Sequence, residues 1–303
     1  MAEPVLQRWN ERDLVGLLTL DTVAPGHYRT RFGDANLNGR SYGGQTLGQA
    51  MRAASMDVAA DRLPTMMQFV FLQGAQPDRP IDLHVDTLQE GKRFSTRRVH
   101  GTQADGRQVL DAQVSFAVPI DAPAHALPWT AGPVPPEDEP SLHEMPAEWA
   151  MRLRRLSGYS LTPKPCIDFR VPDVERQVSP AHAGPQLRFW LKARDVLPTD
   201  PFLQAAAFAY LSDWWLNYSS LGLHVDSLQP HQRLYISSLN HCIWFHRPFR
   251  ADEWLHVDAH SPSAAQGRGL AIARVHDARG LLVASTTQES LMAVADAPLA
   301  PPA

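Results

Sequence analysis

One carboxylate in an apolar run is the residue whose type and setting point most directly to chemistry. Asp213 falls inside PFLQAAAFAYLSDWWLNYSSL, Pro201 to Leu221, which reads as a single helix, apolar on nearly every side. A helix apolar all round is wrapped by other structure rather than laid on a surface. An unpaired carboxylate there is costly, so Asp213 is expected to be protonated, paired, or set where its charge is used, unless a misplaced helix boundary leaves it in solvent. A second candidate is the densest basic cluster, Lys92, Arg93, Arg97 and Arg98. Arginine can grip a phosphate with two parallel hydrogen bonds, although a charge run on a strand pair is commonly a solvated face. His241, His246, His256 and His260 have no Cys or carboxylate partners at ligand spacing, so no metal site is expected. Cys166 and Cys242 stand far apart and are read as free thiols, neither of them catalytic.

The elements that must position Asp213 fall into two similar sets. At 303 residues with 44% hydrophobic side chains, the chain can form two domains of ordinary size or one large one. No stretch is long and apolar enough to span a membrane, and Met1 to Gly16 carries charges where a signal peptide would be apolar, so a cytoplasmic protein without membrane insertion is expected. A net charge of -4 argues against a nucleic-acid surface.

In the first half, an extended segment over Gly26 to Phe32 and a loop rich in Asn and Gly lead to a helix over Gln45 to Ala60. Its Leu47, Met51, Ala54 and Val58 share a face. Strands are expected over Met66 to Gln73, Ile81 to Gln89, Phe94 to Gln103 and Gln108 to Val118, with a tight turn at Asp105-Gly106. Residues 119–165 shift to proline, alanine and acidic side chains and read as a linker, with a short helix around Glu148 to Leu156. The second half repeats the order. Extended segments over Cys166 to Val171 and Gln186 to Ala193 precede the apolar helix, which Asp200 caps and Pro201 opens. Strands then follow over Arg233 to His246, Trp254 to Ser261, Arg268 to His276 and Leu281 to Met292. Arg98-Val99-His100 before Gly106 matches Arg274-Val275-His276 before Gly280, so the order reads as a duplication whose two units share one continuous sheet.

Several stretches carry a family resemblance. Leu17-Leu18-Thr19-Leu20, Tyr42-Gly43-Gly44-Gln45 with Gly48-Gln49-Ala50, Gly91 with Phe94-Ser95 and Arg97-Arg98-Val99, Ser212-Asp213, the run from His241 to Phe249, and Val283 to Glu289 fall in the order of the type II acyl-CoA thioesterases. The chain resembles this family, bacterial thioesterase II and its peroxisomal relatives, over most of its length apart from the linker and the tail. The resemblance implies an α+β double hotdog: two antiparallel sheets, expected to be continuous, each wrapped around a central helix. The units are 1–118, an N-terminal hotdog, and 166–294, a C-terminal hotdog carrying the catalytic set. They are joined by the linker 119–165 and followed by a tail, 295–303.

By the same resemblance the catalytic set falls on Asp213, Ser238 and Gln288. The chemistry is sensible in itself. A thioester carbonyl is open to attack by a held water whose proton Asp213 accepts, while the Ser238 hydroxyl and Gln288 amide hold that water. No covalent intermediate and no cofactor is required, and a backbone N–H near a helix start would suit the oxyanion. Substrate contacts are expected from Gly43, Gly44, Gln45, Trp214, Trp215, Asn240 and His241, with Lys92, Arg93, Arg97 and Arg98 toward the CoA phosphates. Either tryptophan could shorten the acyl pocket.

The chain departs from the family at Asn240-His241, where an Asp-His pair is usual, at Met67-Gln68 in place of Phe-His, and at Gln73-Gly74-Ala75 in place of Arg-Pro-Gly. By strand alternation Asn240 shares a face with Ser238, so its missing charge would bear on the site. The expected activity is hydrolysis of acyl-CoA to free acid and CoA by a homodimer or larger homo-oligomer. The alternatives are a hotdog dehydratase or hydratase acting on acyl thioesters, and a non-catalytic acyl-CoA binding protein.

Overall fold

The computed structural model describes residues 6–36, 39–129, 136–139, 146–148, 164–173, 176–177, 184–229 and 232–296. Residues 149–156 of the short helix expected over Glu148 to Leu156 lie outside them. A parallel pair, β1 (Gln7–Arg8) and β4 (Phe32–Gly33), stands apart. The remaining strands are β2 (Leu20–Ala24), β3 (His27–Thr30), β5 (Leu63–Phe71), β6 (Asp82–Glu90), β7 (Phe94–Thr102), β8 (Gln108–Ala117), β9 (Ile167–Arg170), β10 (Gln186–Ala193), β11 (Gln232–Phe245), β12 (Leu255–Ala265), β13 (Arg268–Asp277) and β14 (Leu282–Asp296). They form one 12-stranded sheet in the order β2-β3-β6-β7-β8-β5-β11-β14-β13-β12-β10-β9.

The second six strands retrace the first six in reverse, so the duplication read from the sequence becomes a two-fold repeat about the β5–β11 seam. That seam pairs Asn240 with Val70 through Trp244 with Met66. The matched turns confirm the correspondence. Gly106 between β7 and β8 and Gly280 between β13 and β14 hold φ of 80° and 84°, which a side chain disfavours and glycine accepts. Along β7 and most of β8, buried residues alternate with half-buried or exposed ones, as a sheet with one covered face requires.

Helices cover the inner face. α1 (Leu14–Leu18) is short; α2 (Gly43–Ser55) and α3 (Pro201–Ser212) lie against each other. Small residues permit the approach. An added Cβ at Gly44 would fall 2.3 Å from the Tyr210 carbonyl oxygen, and one at Gly48 2.9 Å from that of Ala206. Two glycines one turn apart thus let the α2 backbone rest on α3. α2 starts two residues before the expected Gln45 and stops at Ser55, short of the expected Ala60.

The run Pro201 to Leu221 is not one helix. Asp200 caps it through Phe202 N–H and Pro201 opens it as expected, but α3 stops at Ser212. The chain then turns through Trp215, whose φ of 62° no helix tolerates, before α4 (Tyr218–Leu221) and a 3-10 segment, Gly222–Ser227. Trp215 is held in this costly conformation by Phe169, Phe189 and Tyr218, with ring centroids 5.1, 5.7 and 5.1 Å away. Asp213 is therefore the C-cap of α3 and not a mid-helix residue.

Candidate active site

Ending α3 at Ser212 swings Asp213 toward the sheet and toward the head of α2. Gln288 Nε2 donates to Asp213 Oδ1 at 2.5 Å and to Ser238 Oγ at 2.8 Å, so one amide ties the carboxylate to the serine. Ser238 Oγ itself lies 3.5 Å from Asp213 Oδ1. The backbone N–H of Gly44 also donates to Asp213, and a Cβ on Gly43 would lie 2.6 Å from Asp213 Oδ2. The glycine pair therefore brings the positive end of the α2 dipole against the carboxylate. Burial pushes the Asp213 carboxyl up to about 7; the Gln288 amide, the Gly44 N–H, the Ser238 hydroxyl and the charge of Lys164 act against it. An acid with that pKa can accept a proton near neutral pH.

A β-bulge decides which strand residues reach this group. The β11–β14 register pairs Ser238 with Ser290 but Asn240 with Glu289 and His241 with Gln288, the shift falling between Ser238 and Asn240. The extra residue rotates the strand by one position. Ser238 and His241 thereby share the inner face with Gln288 and Ser290, and Asn240 points outward, where its amide bonds Glu289 at 3.0 Å. The expected proximity of Asn240 to Ser238 is overturned: strand alternation fails across a bulge. Asn240 is not among the groups facing Asp213.

His241 is fully buried. Its Nε2 lies 3.0 Å from Ser212 Oγ, which donates in turn to the Ala209 carbonyl at 2.9 Å. Burial lowers the imidazole to about 3, so it is neutral at working pH. It anchors the end of α3, the residue before Asp213, and is not placed to exchange protons.

The other expected contacts divide. Gly43 and Gly44 adjoin Asp213 through their backbone. Gln45 does not: its buried amide accepts from Asp34 N–H at 2.6 Å and donates to Gln49 Oε1 at 3.0 Å, bracing the loop before α2. Trp215 is packed in the aromatic cluster described above, whereas Trp214 is partly buried between Tyr42 and Phe169, at 6.4 and 6.2 Å between ring centroids.

The basic cluster dissolves because neighbours on a strand face opposite ways. Arg97 turns inward to Glu90 at 2.5 Å, and Arg98 turns outward to both oxygens of Asp111. Arg62 reaches Ser95 Oγ and the Gly91 carbonyl beside this pair. The Gly91 to Val99 motif is thus a braced hairpin, and only Lys92 and Arg93, exposed at its turn, keep the character expected of phosphate contacts.

Sequence reasoning missed Ser212, Tyr42, Asp34 and Lys164, which surround the carboxylate from behind. Tyr42 adjoins the glycine pair and Ser212 adjoins Asp213, two local signals; Asp34 and Lys164 are distant in sequence.

Such a site, on a duplicated antiparallel sheet, defines a protein class as well as a geometry. Residues 33–117 match the acyl-CoA thioesterase N-terminal domain model and residues 119–292 the acyl-CoA thioesterase C-terminal domain model. The chain belongs to the acyl-CoA thioesterase family. It is 30% identical to acyl-coenzyme A thioesterase 8 of Rattus norvegicus, covering 92% of this chain and 88% of that one. Acyl-CoA thioesterase 2 of Haemophilus influenzae is 27% identical, over 92% and 96%. In three dimensions it is similar to the acyl-CoA thioesterase II TesB2 of Mycobacterium marinum, with a TM-score of 0.72 at 28% identity, over 93% of this chain and 97% of that one.

Proposed function

We propose that the protein hydrolyses acyl-CoA to free acid and CoA by direct attack of water activated at Asp213. The observation that carries this reading is the single Gln288 amide bridging Asp213 and Ser238, beside a helix start that favours the ionised carboxylate. Water held between Asp213 and Ser238 gives its proton to the carboxylate as its oxygen adds to the thioester carbon. The tetrahedral intermediate then expels the CoA sulfur, which takes up the proton. General-base assistance of this kind is worth about 10²–10⁴-fold. Every bond made and broken is accounted for without a cofactor.

The same reading places the acyl chain on the inner face of β11 and β14 beyond Ser238. There Ile236 and Met292, cross-strand partners, join Leu221, Leu228 and Leu234 in an apolar cluster separate from the main core. The chain is read as two hotdog units, 1–118 and 166–294, each with its own central helix. A homo-oligomer and a cytoplasmic location belong to the proposal; Val70 and Trp244, 46% and 38% exposed on the outward side of the seam, offer apolar surface for assembly. A hydratase would need an imidazole and an acid over the substrate, and His241 is engaged with Ser212. The test is release of free thiol from a panel of acyl-CoAs. Hydrolysis that Asp213→Asn abolishes supports the proposal; no hydrolysis by the intact protein, or unchanged hydrolysis in the variant, defeats it.

A further inference from the structure

Behind the carboxylate, three parts of the chain meet on a buried ion pair. Lys164, at the end of the Pro-rich segment, sets Nζ 2.8 Å from both oxygens of Asp34, and the same ammonium lies 4.3 Å from the Tyr42 ring centroid. The side chains of Lys164 and Asp34 are only 13% and 4% exposed. The Tyr210 hydroxyl donates to Asp34 Oδ2 at 2.9 Å and accepts from the Cys166 thiol at 3.3 Å. Tyr210 stands one turn before Asp213, and its carbonyl accepts the Tyr42 hydroxyl at 3.2 Å. Tyr42 is followed directly by the glycines that abut Asp213. The ion pair therefore touches both the helix that carries the acid and the helix start that donates to it.

A buried ion pair returns little net stability, because desolvation offsets the attraction. This one has a use that stability does not explain. We propose that Lys164 is a positioning residue for the hydrolytic site: paired with Asp34 over Tyr42, it holds the Gly43-Gly44 head of α2 on Asp213 and supplies positive charge that favours the ionised carboxylate. This rests on Asp213 acting as the base.

Among the described residues, few titratable groups face the pair. Burial drives the Tyr42 and Tyr210 hydroxyls well above their ordinary values and the Cys166 thiol up to about 11, so all three are neutral at working pH. Burial also raises the Asp34 carboxyl, against the pull of Lys164, and Glu11 adds a more distant negative charge. The charge of Lys164 favours the ionised Asp213, after the hydrogen bonds from Gln288, Gly44 and Ser238.

The two members of the pair then have opposite effects. Lys164→Met removes the cation and moves the acid limb of kcat/KM to higher pH, by about half a unit or more. Asp34→Asn removes the counter-charge, leaves Lys164 closer to unopposed and moves the limb to lower pH. Lys164→Arg keeps the charge and the wild-type limb. The measurement is the pH profile of thiol release by the full chain, with folding of each variant checked by circular dichroism. Shifts of the same sign, or unmoved limbs in folded variants, overturn the proposal. If Lys164→Met does not fold, Asp34→Asn decides alone: a limb that stays or rises refutes it. Absence of any limb that Asp213→Asn removes from the wild-type profile would instead indict Asp213 as base.

Discussion

Replacing Asp213 by Asn preserves shape and removes charge, so it should separate what the carboxylate does for rate from what it costs in stability. With the folded carboxyl at about 7 against an ordinary 3.8, the difference of about 3 units corresponds to about 4 kcal/mol. The direction follows from linkage. A raised carboxyl means that the folded state binds the proton more tightly, so this stability is fully present below pH 4 and is lost as pH rises through 7. Because Asp213 keeps some exposure, solvent screening makes the figure an upper bound and about 3 kcal/mol a fairer value.

The Asn side chain escapes that loss but cannot accept from both Gln288 and the Gly44 N–H, which costs about 1 kcal/mol. The variant should therefore be about 2 kcal/mol more stable than wild type at pH 8, and about 1 kcal/mol less stable near pH 4. Urea denaturation followed by circular dichroism at several pH values reads this change of sign, and thiol release should fall about 10²–10⁴-fold in parallel. A stability difference that stays constant from pH 4 to 8 would refute the enclosure of the charge.

Three further outcomes follow from the same geometry. Gln288→Leu removes the strongest of the contacts that lower the Asp213 pKa, so the acid limb of kcat/KM should move to higher pH than in the wild type; a pH–rate profile checks it. Gly44→Ala ordinarily favours a helix by about 1 kcal/mol. Here the new methyl meets the Tyr210 carbonyl at 2.3 Å, so thermal denaturation should show a loss of about 1–3 kcal/mol together with lost hydrolysis. Met292→Trp should fill the apolar cluster beside Ile236 and shift kcat/KM across the acyl-CoA panel toward shorter chains, leaving the shortest substrates nearly unaffected.

Local pattern carried much of this architecture. Alternation marked the long strands, Asp105-Gly106 marked a turn that the structure closes with a positive φ, and Asp200-Pro201 marked where α3 begins, because caps and turns are satisfied by neighbours in sequence. The oddness of Asp213 was also legible, since a carboxylate among alanines and aromatics needs a partner wherever it lies.

What the sequence could not show is where long-range packing interrupts those periods. The aromatic cluster around Trp215 ends α3 one residue before Asp213. The bulge in β11 turns His241 inward and Asn240 outward, reversing the expected neighbours of Ser238. Arg97 and Arg98, adjacent in sequence, part to opposite faces and to separate acids. The donor from the first half, Gly44, and the ion pair of Lys164 with Asp34 reach the site only because α2 and α3, from the two halves of the chain, pack backbone to backbone. By itself the sequence determined the duplicated order of elements and the acid that had no place in an apolar run. Tertiary structure decided what that acid faces, because its partners come from four separate stretches of chain brought together by the closure of one sheet over two helices.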